Sequence, residues 1–349
     1  MPLLEFNNKG IYCKQADVYI DPWKSVERAI ITHGHSDHAR WGMKHYLCHT
    51  HTAPIIRARL GQDISVETKE YGETWSKNGV TFSLHPAGHV IGSAQVRLEY
   101  RGEVWVASGD YKLQSDNFST PFEPIRCNVF ITECTFGLPI YQWRPQIEIF
   151  QEINQWWREN SEQGKTSVIF GYSLGKAQRI LQNLDESIGP ILTHGAIENM
   201  NRVVREECCP LKPTTLITRE TPKHAWAGGM VIAPPSAAAS PWMNKLKPYS
   251  TGIASGWMSL RGARRRRAVD RGFALSDHAD WNELNDAIKA TGAECIITTH
   301  GYTQAFTRWL REQGYKAYEE HTEFEGELSE INEAAAPDDS MPLSEDSGN

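Results

Sequence analysis

His33-Gly34-His35-Ser36-Asp37-His38 decides the reading of this chain. It follows directly on the apolar run Ala29-Ile30-Ile31, so a strand should deliver four side chains of metal-ligand type to one sheet edge. Alternate residues on extended chain share a face, which aims His33 and His35 at one ion, while the turn that follows sends Asp37 and His38 toward a second. A lone histidine is usually a hydrogen-bonded or surface residue. Three imidazoles and a carboxylate buried together without ions would instead leave much polar surface unsatisfied. Binuclear hydrolases hold their ions roughly 3.5–4 Å apart, within reach of one bridging hydroxide.

Outward from this stretch, other short β-rich runs also end in polar residues: VYI (18–20) at Asp21, VTFSL (80–84) toward His89, VWVAS (104–108) toward Asp110, and VFIT (129–132) at Glu133. Strand ends on a rigid sheet are where chemistry is usually mounted. After residue 137 the texture changes. Pro145 should open a helix reaching Glu159, with Ile147, Phe150, Ile153 and Trp157 on one apolar face. SVIF (167–170) reads as a strand, LGKAQRILQNL (174–184) as a helix capped by Ser173, and APPSAAASP (233–241) as a loop. Asp280 and Glu283 form a D-x-x-E cap before a helix from Trp281, and ECIITTHG (294–301) reads as a strand stopping at His300. The texture of the beginning thus returns. The expected fold is α/β, with a first domain in two parts, 1–137 and 275–328, split by an inserted α/β domain, 138–274.

The net charge of −7 is unevenly placed: eleven acidic and no basic side chains lie from Ala317 onward, leaving residues 1–316 at +4. The body of the chain is therefore compatible with a polyanionic partner, and 329–349 reads as an acidic disordered tail. Seven cysteines without a C-x-x-C pair fit reduced thiols in a cytoplasm. No signal peptide and no uncharged apolar run of membrane-spanning length is evident, so the expectation is a soluble cytoplasmic protein with no membrane partner.

The H-x-H-x-D-H stretch resembles the signature of the metallo-β-lactamase superfamily, and the likeness extends over roughly residues 10–325. It implies an αββα sandwich. Asp21 in YIDPW resembles the family aspartate that supports the ligand loop without binding metal. AGHVIGS supplies His89 as a ligand and SGDY supplies Asp110 as the carboxylate bridging both ions. Three further marks resemble the β-CASP branch, whose members cut nucleic acid: Glu133 in ITECTFG, His278 in LSDHAD and His300 in TTHG. The resemblance implies His300 as a ligand of the second ion, His278 near the scissile phosphate or leaving oxygen, and Glu133 orienting His278. GYSLGKAQ resembles a stretch of the DNA cross-link repair nucleases, whereas the histidine of TTHG resembles the RNA-processing branch. The combination is similar to the bacterial ligase-associated DNA exonucleases, which are encoded beside an ATP-dependent DNA ligase and a helicase, and this resemblance implies those two as partners.

The expected activity is therefore phosphodiester hydrolysis of DNA, exonucleolytic and in repair, with two divalent ions, zinc or manganese, and a bridging hydroxide that attacks phosphorus to leave a 5′-phosphate. Asp37 orients that oxygen. The metal set is His33, His35, Asp37, His38, His89, Asp110 and His300. For substrate the candidates are Ser173, Lys176, Ser255, Gly256, Arg261 and Arg264, with the neighbouring Arg265 to Arg267, because phosphate contacts give sequence-independent grip. RNA cleavage with the same ions is the first alternative, since the metal centre does not separate the two substrates. A catalytically inactive nucleic-acid-binding subunit is the second, and the intact ligand set weighs against it.

Overall fold

The computed structural model describes residues 2–260 and 269–324 and shows a mixed α/β protein built on three sheets. The first sheet orders its six strands along the chain: Glu5–Asn7, Gly10–Cys13, Val18–Ile20, Arg28–Ile31, His45–His49 and Val66–Lys69. Pairing is antiparallel up to Val18–Ile20 and parallel beyond it. The second sheet has seven strands in the order Lys316–Glu319, Cys295–Gly301, Val129–Cys134, Glu103–Ala107, Ala94–Tyr100, Val80–Pro86, Thr74–Lys77. Its first four are parallel, so their C-terminal ends share one edge.

Alternation along the strands explains how the two sheets meet. Ile11, Val18, Ile20 and Ile30 from one, and Phe82, Leu84, Val96, Leu98 and Ile131 from the other, close a single apolar core. The opposite faces are covered by helices. Thr52–Leu60 packs on the first sheet through Ala53 and Ile56. Trp281–Thr291 and Thr303–Glu312 pack on the second through Leu284, Ile288, Phe306 and Leu310. The D-x-x-E cap is present: Asp280 accepts from the Glu283 amide at 2.9 Å, and Glu283 from the Asp280 amide at 3.2 Å.

The third sheet, all parallel, is drawn from residues 166–273 and sits between the two parts of the second sheet in sequence. Helices Gln146–Glu162, Lys176–Asn183 and Gly195–Glu207 cover one face. Two sequence expectations change here. The buried face of the first of these helices uses Ile149, Phe150, Ile153, Trp156 and Trp157, whereas Ile147 is 61% exposed. Ser173 does not cap the next helix. Gly175 does, at φ +84°, with the Gln178 side chain accepting from its amide at 2.8 Å. APPSAAASP forms short 3₁₀ turns, Pro235–Ala239 and Pro241–Leu246. Among the described residues no helix is long and apolar enough to cross a membrane. The cysteines are free thiols. The tail 329–349 and the arginine candidates 261–267 lie outside the described residues.

Candidate metal centre

Strand direction does the assembling. His33 leaves the end of Arg28–Ile31, Asp110 that of Glu103–Ala107, while Glu133 and His300 stand at the ends of Val129–Cys134 and Cys295–Gly301. Parallel pairing puts the last three of these ends together, the first sheet packed against the second brings His33 to them, and the loops carrying His89 and His278 close over them. All are buried.

Three groups of ligand-type side chains among the described residues share Asp110: His33, His35 and His89 on one side, His38 and His300 on the other, and Glu133 with His278, with the ligand atoms of each group mutually within 4.8 Å. In the last the carboxylate bonds the ring directly, and the first two are the candidate ion sites. His35 Nδ1 lies 3.2 Å from His33 Nε2 and 3.1 Å from His89 Nε2. Tetrahedral zinc with Zn–N of about 2.0–2.1 Å requires nitrogens about 3.3 Å apart, so this triad fits an ion. On the other side His300 Nε2 is 2.9 Å from Asp110 Oδ1, and His38 Nε2 is 3.5 Å from Asp110 Oδ2 and 3.8 Å from Asp37 Oδ2. His38 Nε2 is buried and has no hydrogen-bond partner among the described residues.

The outward nitrogens are held as metal-binding histidines usually are, by oxygen. Thr32 Oγ1 meets His33 Nδ1 at 3.0 Å, the Asp277 carbonyl meets His89 Nδ1 at 2.8 Å, and the Leu174 carbonyl meets His35 Nε2 at 3.4 Å. Asp21 contacts His38 Nδ1 at 2.7 Å and also accepts from the Thr32 amide and hydroxyl. Thr299 Oγ1 lies 3.2 Å from His300 Nδ1.

Electrostatics divide the two groups. Burial, reinforced by neighbouring imidazoles, pushes His33 and His89 well down, and burial lowers His35, so the triad is neutral and presents lone pairs. Burial would lower His38 too, but Asp110, Asp37 and Asp21 override it and raise its pKa to about 10. A field that favours a proton there also favours a cation. Asp110, which burial alone would raise, is held well below the carboxylate range by His38, His300 and His278.

Glu133 receives His278 Nδ1 at 2.9 and 3.0 Å and the Tyr111 amide at 2.9 Å, which fixes the ring beside His89.

No family model matches the chain. It is 32% identical over 314 residues to a protein named "Probable DNA ligase" from Opitutus terrae, a match covering 88% of this chain and 30% of that protein. It is 32% identical to "Endoribonuclease YSH1" from Saccharomyces cerevisiae over 35% of this chain and 16% of the relative. It is 30% identical to "Cleavage and polyadenylation specificity factor 73" from Drosophila melanogaster over 46% and 24%. The chain belongs to the β-CASP branch of the metallo-β-lactamase superfamily. It spans less than a third of the length of these curated relatives. A solved structure, a protein of unknown function from Enterococcus faecalis, shares the fold at TM-score 0.55 and 10% identity, over 77% of this chain and 74% of that one.

This β-CASP protein places its substrate candidates unequally. Ser173 lines a cleft of about 160 Å³ beside His35, with Ser36, Arg59 and Ser236. Lys176 does not face it. Its side chain is 0% exposed, 3.5 Å from Asp277 and over the Tyr172 ring, so its charge is spent inside the protein. Ser255 and Gly256 are buried too: the Ser255 hydroxyl caps a 3₁₀ turn at the Trp257 amide, and a side chain on Gly256 would strike Phe136. Arg261 and Arg264 lie outside the described residues.

Sequence reasoning missed Arg179 and Asp116. Arg179 donates to Asp116 at 2.9 Å, to the Ser276 carbonyl at 2.9 Å and to the His89 carbonyl at 3.1 Å, tying the helix Lys176–Asn183 to two loops of the centre. Nothing in a lone arginine inside an amphipathic helix announces this. A groove of about 880 Å³ shares no residue with the cluster, and its Glu148, Glu152, Glu159 and Asp270 outnumber its Arg144 and Arg271, which disfavours a polyanion there.

Proposed function

We propose that this chain is a two-metal phosphodiesterase that trims DNA from an end, in repair. The reading takes residues 1–137 and 275–328 as a metallo-β-lactamase sandwich and 138–274 as its β-CASP insert, supported by two face-packed sheets with outer helices and a separate parallel sheet. The ion pair is zinc or manganese: imidazole suits zinc, and the aspartates admit manganese. Bound ions supply a water that ionises near neutral pH and charge to offset the phosphodiester.

The chain's own groups do the rest. Asp37 orients the attacking water. Glu133 holds His278 by Nδ1, and His278 would protonate the departing 3′-oxygen through Nε2. Breaking that P–O bond leaves a 5′-phosphate. Ser173 offers a hydroxyl in the cleft beside His35.

The observation that carries DNA is the match across 88% of this chain to part of a protein named as a DNA ligase, which also motivates a ligase partner; a helicase partner and cytoplasmic action follow from the resemblance to ligase-associated exonucleases alone. RNA cleavage is the second reading, favoured by the relative named an endoribonuclease, over 35% of the chain. End-labelled DNA and RNA, each with 5′-phosphate or 5′-hydroxyl, separate them. Nucleotides should be released from DNA ends under zinc or manganese. Faster cutting of RNA, or internal DNA fragments first, overturns the reading.

A further inference from the structure

Past the strand Lys316–Glu319 the chain crosses the edge that carries the ligands. Thr322 is buried there, and Phe324 packs against the core between the first two sheets. The Phe324 ring lies parallel to His38, with centroids 4.2 Å apart and planes at 11°, and stands edge-on to His300 at 5.5 Å and to Trp23 at 5.7 Å. On its other side His38 meets His33, centroids 4.2 Å apart. The imidazole is therefore held between two rings.

Arg40 fastens this segment. Its Nη2 donates to the Glu323 carbonyl at 2.6 Å, and Nη1 stands 3.5 Å from the Glu323 carboxylate. From the same guanidinium, Nε donates to the Asp37 carbonyl at 3.2 Å and Nη1 to the Trp23 carbonyl at 3.4 Å. One side chain joins the H-x-H-x-D-H loop, the loop after Asp21 and the segment bearing Phe324.

These contacts fall on one ligand group. His33, His35 and His89 have their outer nitrogens on Thr32, Leu174 and Asp277. His38 likewise has one outer bond, to Asp21, about which its ring can swing, and His300 has one to its own neighbour Thr299, as His33 has to Thr32; what sets His38 and His300 apart is the Phe324 ring lying against both. A flat apolar face blocks that swing while leaving Nε2 of both rings directed inward.

We propose that Phe324, clasped through Arg40 and Glu323, is a positioning residue for the second ligand group, so that ion affinity at His38, Asp110 and His300 depends on it and affinity at His33, His35 and His89 does not. This rests on the reading that the cluster holds two ions. Losing an outer support of metal-binding histidines typically weakens affinity about 10- to 100-fold.

The test is metal content, with no substrate involved. Wild type, Phe324→Ala, Phe324→Tyr and Arg40→Met are loaded with zinc, dialysed against graded chelator and analysed for ions per chain. Wild type should keep two. Phe324→Ala should shed one ion at about 10- to 100-fold lower chelator strength, keeping the other as wild type does, and Phe324→Tyr should restore both. Arg40→Met should act in the same direction, and it carries the test if Phe324→Ala does not fold. A Phe324→Ala protein that holds both ions as tightly as wild type, or sheds both together, overturns the proposal. Wild type that never takes up a second ion overturns the two-ion reading itself, and this inference with it.

Discussion

Glu133 grips His278 with both carboxylate oxygens, 2.9 and 3.0 Å from Nδ1, while its remaining bonds run to the Tyr111 amide and the Thr135 hydroxyl. In the proposed reaction a carboxylate so occupied would act through the ring it holds. Replacing His278 by alanine should lower kcat by about 10²–10⁴-fold, the usual scale for a lost proton donor. Glu133→Gln should cost less than that. The two changes should not add: single-turnover rates of Glu133→Gln/His278→Ala should equal those of His278→Ala alone. A double mutant substantially slower than His278→Ala would show Glu133 acting by a separate route.

Asp277 joins the third sheet's helix to the centre. Its carboxylate lies 2.9 Å from Arg179 and 3.5 Å from Lys176, all three fully buried. Burial alone would raise this carboxyl, but the two cations override it and hold it well below the usual range. Asp277→Asn leaves two buried cations short of a counter-charge, at a cost of about 3–5 kcal/mol. The sign in pH follows: a depressed carboxylate stabilises fully above its unfolded value, near 3.9, and that contribution fades as pH falls below it. Urea unfolding should therefore show a constant gap between wild type and Asp277→Asn from pH 8 to about 5, narrowing below about 4. A gap that widens on acidification contradicts the assignment.

Gly301 follows His300 at φ +98°, and a side chain there would overlap the Cys134 carbonyl. Gly102 has a comparable φ of +81° but open space around it. Strain at positive φ, of order 1–3 kcal/mol, applies to both, and the overlap only to Gly301. Gly301→Ala should thus lower the denaturation midpoint more than Gly102→Ala and also weaken ion binding, because relieving the overlap moves His300. Equal effects of the two would show that His300 is not fixed by this turn.

How far the site could be read from sequence is clear from one tripeptide. Thr-His-Gly occurs at 32–34, 193–195 and 299–301, each time at or beside a strand end. Two of the three deliver ligand-type histidines; at the third, His194 accepts from the Ala196 amide and caps a helix. Only the adjoining Asp37-His38 and the sheet to which each strand belongs distinguish them. The main ligand set was legible because each member follows an apolar run. Arg40, Arg179 and Phe324 were not, since their partners come from far along the chain: 283 positions separate Arg40 from Glu323, and 90 separate Arg179 from His89. Lys176 misled for the same reason. A cation at a helix start looks ready for an anion, and its anion turned out to be Asp277. Ile147 misled because Ile149 offers an equally good helical period two residues on.

Removing the ions should be visible without any substrate. His33, His35, His38, His89, Asp110 and His300 are buried together, and a ligand that binds only the folded state stabilises it, by about 2.7 kcal/mol at a hundredfold excess over Kd. Excess chelator should therefore lower the thermal midpoint, and zinc or manganese should restore it. Calcium should not, because it prefers six to eight oxygen ligands and this centre is mostly nitrogen. The contrast with Asp37→Ala is informative: it lacks the carboxylate 3.8 Å from His38, which stands outside the two ligand groups, but keeps the triad, so chelator should still lower its midpoint, by less than in wild type, while turnover is abolished. A midpoint indifferent to chelator in wild type would mean that these buried groups fold without holding an ion.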